Sequence, residues 1–212
     1  MPQKEISKSV LKRLPIYLSY LKSQDKSMEN ISATALALAL SLGEVQVRKD
    51  LAMVSDGGRP KIGYNRLNLI DDIEQFLGYD NTNDAVLIGA GGLGGALMGY
   101  TGFAEYGLNI VAAFDSDPEL AFKSKGGKKI YPLTELGKFC TENKILMGII
   151  TVPAPHAQRV CDMLIQYGIL AIWNFAPVHL DVPPQILVQN ENMATSLAVL
   201  SKHLSVQIGN MK

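Results

Sequence analysis

From Ser7 to Leu21 the apolar positions Val10, Leu11, Leu14, Tyr17, Leu18 and Leu21 recur every three or four residues, the period of a helix with one buried face. A first helix is predicted there, with Pro15 marking a kink or a late start. Ser32 suits an N-cap ahead of a short helix over 33–40, in which Leu36 and Leu40 share a face. The Leu-Ala alternation of that stretch has the period of a strand, but both residues are strong helix formers. Ser41, Leu42 and Gly43 break the chain before a third helix from Glu44 to about Val54, with Val47, Leu51 and Val54 inward. Ser55 to Tyr64 follows, glycine-rich and interleaved with Arg59 and Lys61, and reads as a hairpin. Helix, turn, helix and basic hairpin form the winged variant of the helix-turn-helix, whose later helix enters the major groove.

A short helix over 69–77 and a polar linker over 78–83 close this part. The pattern then changes to short apolar runs, Ala85–Ile88, Ile110–Phe114, Ile145–Val152 and Leu170–Trp173, separated by helical stretches such as Ala157–Tyr167. Strands alternating with helices predict a parallel sheet, so the second part is α/β. From Asn192 to Ile208, the residues Met193, Leu197, Leu200, Leu204 and Ile208 form an apolar stripe on a final helix, which suits a partner subunit as well as its own domain.

Composition narrows the class. An apolar fraction of 47% in 212 residues supports a folded core of one or two domains. No stretch is uniformly apolar over a membrane span, since Ile31–Leu42 carries Ser32, Thr34 and Ser41. The first residues lack the apolar centre of a signal peptide and the two cysteines, Cys140 and Cys161, offer no disulfide framework, so a cytoplasmic location is expected. The net charge of zero conceals an asymmetry: residues 1–68 hold 11 Lys/Arg against 6 Asp/Glu, and the remainder is correspondingly acidic. A basic module joined to a neutral or acidic sensor has this distribution. Gln46, Arg48 and Lys49 of the third helix, with Arg59 and Lys61 of the hairpin, are the candidate DNA contacts: Arg pairs with guanine, Gln with adenine, and Lys with phosphate.

The first strand of the second part runs into Gly89-Ala90-Gly91-Gly92-Leu93-Gly94, a G-x-G-x-x-G motif that opens a helix. Asp115 stands at the end of the next strand, at the spacing of the acidic residue that binds an adenosine ribose. These residues predict a dinucleotide site, and the carboxylate, with no Arg in Ser116-Asp117-Pro118, favours NAD(H) over NADP(H). Thr151, Val152 and Pro153 would wall the site at the carboxyl edge of the sheet. None of His156, His179 and His203 has a nucleophile or second catalytic group in pattern with it, and the cysteines lack metal spacing. The sequence therefore predicts a cofactor site with neither catalytic residues nor a metal. An NAD-dependent dehydrogenase and a CoA-binding or other nucleotide-binding Rossmann protein are the alternatives.

Across nearly its whole length the chain resembles the Rex redox-sensing transcriptional repressors. The resemblance is carried by Leu11-Lys12-Arg13-Leu14, Gln46-Val47-Arg48-Lys49-Asp50-Leu51, Ile62-Gly63-Tyr64, the glycine motif with Tyr100-Thr101-Gly102-Phe103, Phe114-Asp115-Ser116-Asp117-Pro118 and Asn174-Phe175-Ala176-Pro177-Val178. It implies an α/β protein with a winged-helix DNA-binding domain (1–78), a Rossmann-type parallel-sheet domain for NAD(H) (79–191) and a C-terminal dimerisation helix (192–212) swapped into a partner. It also implies a homodimer on palindromic operator DNA that NADH releases, with Tyr100 as the redox-responsive residue and Asn174 at the cofactor. The chain departs from the family at Gly92, at Arg59-Pro60-Lys61, and at Ser19 and Asn192, where a charged pair is expected. A smaller or shifted NADH response follows from the loss of that pair.

Overall fold

The Ser7 hydroxyl accepts a hydrogen bond from Val10 N and starts α1 (Lys8–Ser23), well ahead of Pro15, so the proline does not delay the helix. Its buried positions are those of the predicted stripe except Leu11, which faces outward. The computed structural model describes residues 6–81 and 83–210, which fall into two compact units, 1–81 and 82–212. After β1 (Asn30–Ile31), Ser32 caps α2 (Ala33–Ala39), and Ser41 in the left-handed region turns the chain into α3 (Glu44–Val54). The predicted hairpin is smaller than expected. It closes through one bridge, Arg59 with Gly63 at N···O distances of 2.8 and 2.9 Å, and Ile62 N also donates to Arg59 O at 3.2 Å.

The strand pairing of this segment is instead that of β2 (Tyr64–Asn65) with β1, which ties the base of the wing to the α1–α2 connection. Gly63 makes the junction possible: its φ is +90°, and a Cβ there would lie 2.3 Å from the Ile31 carbonyl oxygen. The next helix, α4 (Arg66–Leu77), begins three residues before the predicted start. Asn65 caps it by accepting from Asn68 N, and the buried Arg66 guanidinium donates to the carbonyls of Leu21 and Met28. Leu14, Leu18, Leu36, Leu51, Leu69 and Ile73 are central to the core these helices share.

The second unit runs β3 (Asn83–Ile88), α5 (Gly92–Gly99), β4 (Leu108–Asp115), β5 (Ser124–Lys125), β6 (Lys128–Pro132), α6 (Leu136–Asn143), β7 (Met147–Ile150), α7 (Ala154–Gln166), β8 (Ala171–Asn174), β9 (Leu187–Asn190) and α8 (Met193–Asn210). The strands form one sheet in the order β5-β6-β4-β3-β7-β8-β9, parallel throughout except for the β5–β6 hairpin. Both faces are covered: α6 and α7 pack on Val86, Ile88 and Phe114, while Met98 of α5 packs with Leu87 and Ala113. Burial on both sides is why the central strands read as continuous apolar runs. The mostly exposed β5 and β9, and the short β6, carry no such run and were not foreseen. The predicted Ile145–Val152 strand is confined to β7.

From β6 onward the order is that of a dinucleotide-binding fold, and it reverses between β3 and β7. The terminal helix differs from all others. Every residue of α8 from Met193 to Gly209 is exposed, the stripe Met193, Leu197, Leu200, Leu204 and Ile208 included. Among the described residues no helix is long and apolar enough to cross a membrane, and no group of three His, Cys, Asp or Glu is placed to hold a metal ion.

Candidate functional site

The strand-order reversal opens a crevice at the carboxyl ends of β3 and β7, and the glycine motif fills its floor. Gly89 leaves β3 with φ +100°, and a Cβ would meet Val152 Cγ1 at 2.9 Å. Gly94 packs still closer. A Cβ on it would stand 1.8 Å from the Gly89 carbonyl oxygen and 2.8 Å from Thr151 Oγ1. The Thr151 hydroxyl lies 2.7 Å from the Gly89 oxygen and 3.0 Å from that of Ile88, so its single proton holds the start of the loop against β7. Gly91 and Gly92, by contrast, have open space on their Cβ sides. Gly91 is the N-cap of α5 and supplies no side-chain acceptor, so the first amides of the helix face the crevice, an arrangement suited to a diphosphate. Ala90 is buried and Leu93 partly exposed beside this opening.

Asp115 closes the other side of the loop. Its Oδ2 accepts from Ala90 N at 2.6 Å and its Oδ1 from Asp117 N at 2.9 Å. The carboxylate thus fixes the glycine loop to the end of β4 while also lining an open cleft of about 720 Å³. Pro118, Leu133, Met163 and Tyr167 give that cleft apolar walls, and Arg159 adds a cation. The sequence reading had missed Arg159, Met163 and Tyr167. Their signal was an i, i+4, i+8 line along α7 and its C-cap Tyr167, visible only once the other face of α7 is known to be buried.

On the far side of the crevice, Val152 and Pro153 follow β7 as predicted wall residues, and α7 begins after Pro153. Tyr100 ends α5 with its ring folded over Gly102 and in edge contact with Phe103, centroids 4.8 Å apart. Phe103 in turn meets Trp173, which meets Phe175 at 4.8 Å. Asn174, predicted at the cofactor, has a different use. It is fully buried, and its amide nitrogen lies 2.8–3.2 Å from Ala176 O and Val178 O of the following turn and from Asn190 Oδ1 on β9, so its two protons are shared among acceptors within the protein. What it provides is the position of Phe175 at the sheet edge. His156, in the first turn of α7, and His179 are exposed, as is His203 on α8. Burial pushes the thiols of Cys140 and Cys161 up to about 11, so both remain protonated packing groups of the core.

In the first unit α3 presents Arg48 and Lys49 to solvent, with Arg59 and Lys61 on the exposed wing loop and Lys61 in the left-handed region at φ +66°. Arg48 forms an ion pair with Glu44 one turn earlier. Gln46, expected to read adenine, is less free than the sequence suggested: its amide end lies 2.9 and 3.1 Å from Arg13 Nη1 and Nη2, so the orientation that satisfies both groups turns the amide oxygen to accept from that guanidinium. Arg13 also clasps the buried Asp50 through Nε at 2.7 Å and Nη2 at 3.0 Å, and Tyr17 Oη donates to the same carboxylate at 2.8 Å. Burial, reinforced by that hydrogen bond to Asp50, pushes the Tyr17 phenol up to about 12, and the bond to Asp50 raises Arg13 as well. This cluster bolts α3 to α1 behind the exposed basic face.

Comparison with known proteins joins the two units. Residues 80–178 match the family described as "CoA binding domain", and residues 5–52 match "Putative DNA-binding protein N-terminus". The chain is 42% identical over 196 residues to the redox-sensing transcriptional repressor Rex of Treponema denticola, covering 90% of this chain and 91% of that protein. It is similar to the crystal structure of RSP in complex with β-NAD⁺ and operator DNA, with a TM-score of 0.90, 32% identity and coverage of 97% and 95%. For RSP in complex with β-NADH the TM-score is 0.88 at 31% identity, over 99% of this chain and all of that one. With identity at this level running through the helical unit and the sheet unit alike, the chain belongs to the Rex family of redox-sensing transcriptional repressors.

Proposed function

We propose that the protein represses transcription by binding operator DNA as a homodimer and leaves it when NADH occupies the crevice. The observation that carries the reading is the pairing, in one chain of Rex-family sequence, of a basic helix-and-wing surface with a glycine loop locked to Asp115. The residues fit a dinucleotide. The α5 amides and the open sides of Gly91 and Gly92 would take the diphosphate, Asp115 a ribose with a free 2′-hydroxyl, and the 720 Å³ cleft the adenine. The bound group supplies a two-electron redox couple, and the protein reads its oxidation state. Relatives that are transcriptional repressors favour a regulator over a dehydrogenase, and a repressor acting on DNA is read as cytoplasmic.

The dimer reading rests on α8. Its stripe, with Leu200 65% exposed and Leu197 62%, is more apolar surface than a helix leaves in water, and a second copy of the chain is the occupant we assign. Residues 192–212 are accordingly proposed as the dimerisation element, following the winged-helix part and the dinucleotide part.

Fluorescence anisotropy on a palindromic duplex, selected from a random pool by the protein itself, tests the reading. Operator affinity should fall at least about tenfold on saturation with NADH, a coupling within the usual allosteric range. NADPH should act only at much higher concentration. Unchanged affinity in protein shown by calorimetry to carry NADH would overturn the switch.

The same assay separates the basic residues. Arg48→Ala, releasing Glu44, should cost about 1–3 kcal/mol and relax base preference. Lys49→Ala should weaken all duplexes alike and lower the salt slope by about one unit. An Arg48→Ala protein with unaltered affinity and preference would remove α3 from recognition.

A further inference from the structure

A half-buried carboxylate stands at the end of the crevice opposite Asp115. Glu191 follows β9, and its backbone N donates to Asn174 O at 2.8 Å, which fixes it beside the end of β8. Its Oε1 accepts from the indole Nε1 of Trp173 at 2.9 Å and from Gln189 Nε2 at 3.4 Å. None of the ion pairs among the described residues includes Glu191, and its Oε2 accepts no hydrogen bond among them. The carboxylate is therefore held by neutral donors alone, without a counter-charge.

The indole that orients it belongs to an aromatic row. Trp173 meets Phe175 at 4.8 Å and Phe103 at 5.6 Å, and Phe103 meets Tyr100 at 4.8 Å. In a sheet of this order the dinucleotide spans the carboxyl edge, with one nucleotide on the β4 side and the other on the β7–β8 side. Asp115 marks the adenosine half, so the row and Glu191 border the nicotinamide half. The two redox forms differ there by one charge: the oxidised ring is a cation, and the reduced ring is neutral.

We infer that Glu191, oriented by the Trp173 indole, is a specificity-determining residue that favours the oxidised nicotinamide over the reduced one. This inference rests on the dinucleotide reading of the crevice. An uncompensated carboxylate attracts the cationic ring and is indifferent to the neutral one, and the aromatic faces of the row add to the same preference. Glu191 thereby sets how far the NADH to NAD⁺ ratio must rise before NADH displaces NAD⁺.

Calorimetric titration of the full chain with NAD⁺ and, separately, with NADH tests it. Glu191→Gln keeps an acceptor for the indole and removes the charge; it should weaken NAD⁺ about three- to tenfold, the range for a partly screened charge, and leave NADH within about twofold. Glu191→Asp, which retains the charge, should keep most of the preference. Trp173→Phe keeps an aromatic ring but loses the donor, and should shift the NAD⁺ affinity in the same direction as Glu191→Gln.

Trp173 is the only tryptophan of the chain, and its emission overlaps the absorption of reduced but not oxidised nicotinamide. Quenching by NADH in the parent and in Glu191→Gln therefore reports that the ring still sits beside it. Equal weakening of both forms by Glu191→Gln, or no change in either, overturns the inference while the dinucleotide reading stands. Failure of the parent chain to bind NAD⁺ and NADH overturns both.

Discussion

Asp50→Ala is expected to destabilise the helical unit by about 3–5 kcal/mol, because it leaves a guanidinium and a buried phenol without the acceptor that unites them. The carboxylate is 4% exposed and receives three hydrogen bonds, two from Arg13 and one from Tyr17. Removing one partner of a largely desolvated pair costs more than the pair contributes, since the groups left behind stay mostly desolvated without their acceptor. Tyr17→Phe removes only the neutral donor, and its expected cost is smaller, about 1–2 kcal/mol. Urea unfolding of the full chain followed by circular dichroism, with amide exchange resolving α1 and α3, measures both. The helices bearing Arg13 and Asp50 should lose protection first, and operator affinity should fall with them because Gln46, Arg48 and Lys49 share α3 with Asp50. An Asp50→Ala protein within about 1 kcal/mol of the parent would show that the cluster is an ornament of the fold.

Gly94→Ala should reduce dinucleotide affinity by at least about 100-fold, with a stability cost on the order of 1–3 kcal/mol from overpacking. The added methyl would be placed 1.8 Å from a backbone carbonyl, that of Gly89, which is itself held by the Thr151 hydroxyl. Neither atom belongs to a flexible chain end, so relief requires α5 to move off the sheet, and its first amides move with it. Gly99→Ala is the matched control. It lies in the last turn of the same helix with nothing within 4 Å of the new Cβ, and should leave binding intact while gaining up to about 1 kcal/mol from reduced backbone freedom in the unfolded chain. Titration with NADH beside thermal unfolding distinguishes them. Parent-like binding by Gly94→Ala would mean that the close helix–strand approach is not what presents the amides.

Under the proposed function, regulation needs a path from the crevice to the DNA-binding surface, and α8, the proposed dimerisation element, begins two residues after Glu191. Asn192 accepts from Thr195 N at 3.2 Å and caps the first turn of α8, immediately after Glu191. Ser19 and Asn192 are both uncharged, so the charged pair that the resemblance implies at those positions is absent, and its loss is expected to give a smaller or shifted response to NADH. That helix carries its apolar stripe exposed, and under the proposed dimer a second copy would cover it.

Local pattern was sufficient for several features because each depends on residues close in sequence. The stripe of α1, the Ser32 cap, the glycine motif after an apolar run and the stripe of α8 all follow from helix period, capping chemistry or the stereochemistry of glycine. So did the alternation of strand and helix that predicts a parallel sheet. Short strands escaped notice because β5 and β9 bury little and so carry no apolar run.

Tertiary structure decided the features made by residues far apart in the chain. Asp115 was legible as a ribose acceptor, but only the fold shows that it also receives the Ala90 amide and so builds the loop. Gln46 was legible as a base reader, whereas the fold brings Arg13 to its amide. Asn174 was legible as a cofactor residue, and the fold turns it inward to hold its own turn and β9. Arg159 joins Asp115 in one cleft, and Glu191 joins Trp173, through crossings of the sheet that no spacing rule encodes. Periodicity states which face of an element is buried; which polar group it meets there depends on strand order and register, and these are set by packing of the whole sheet.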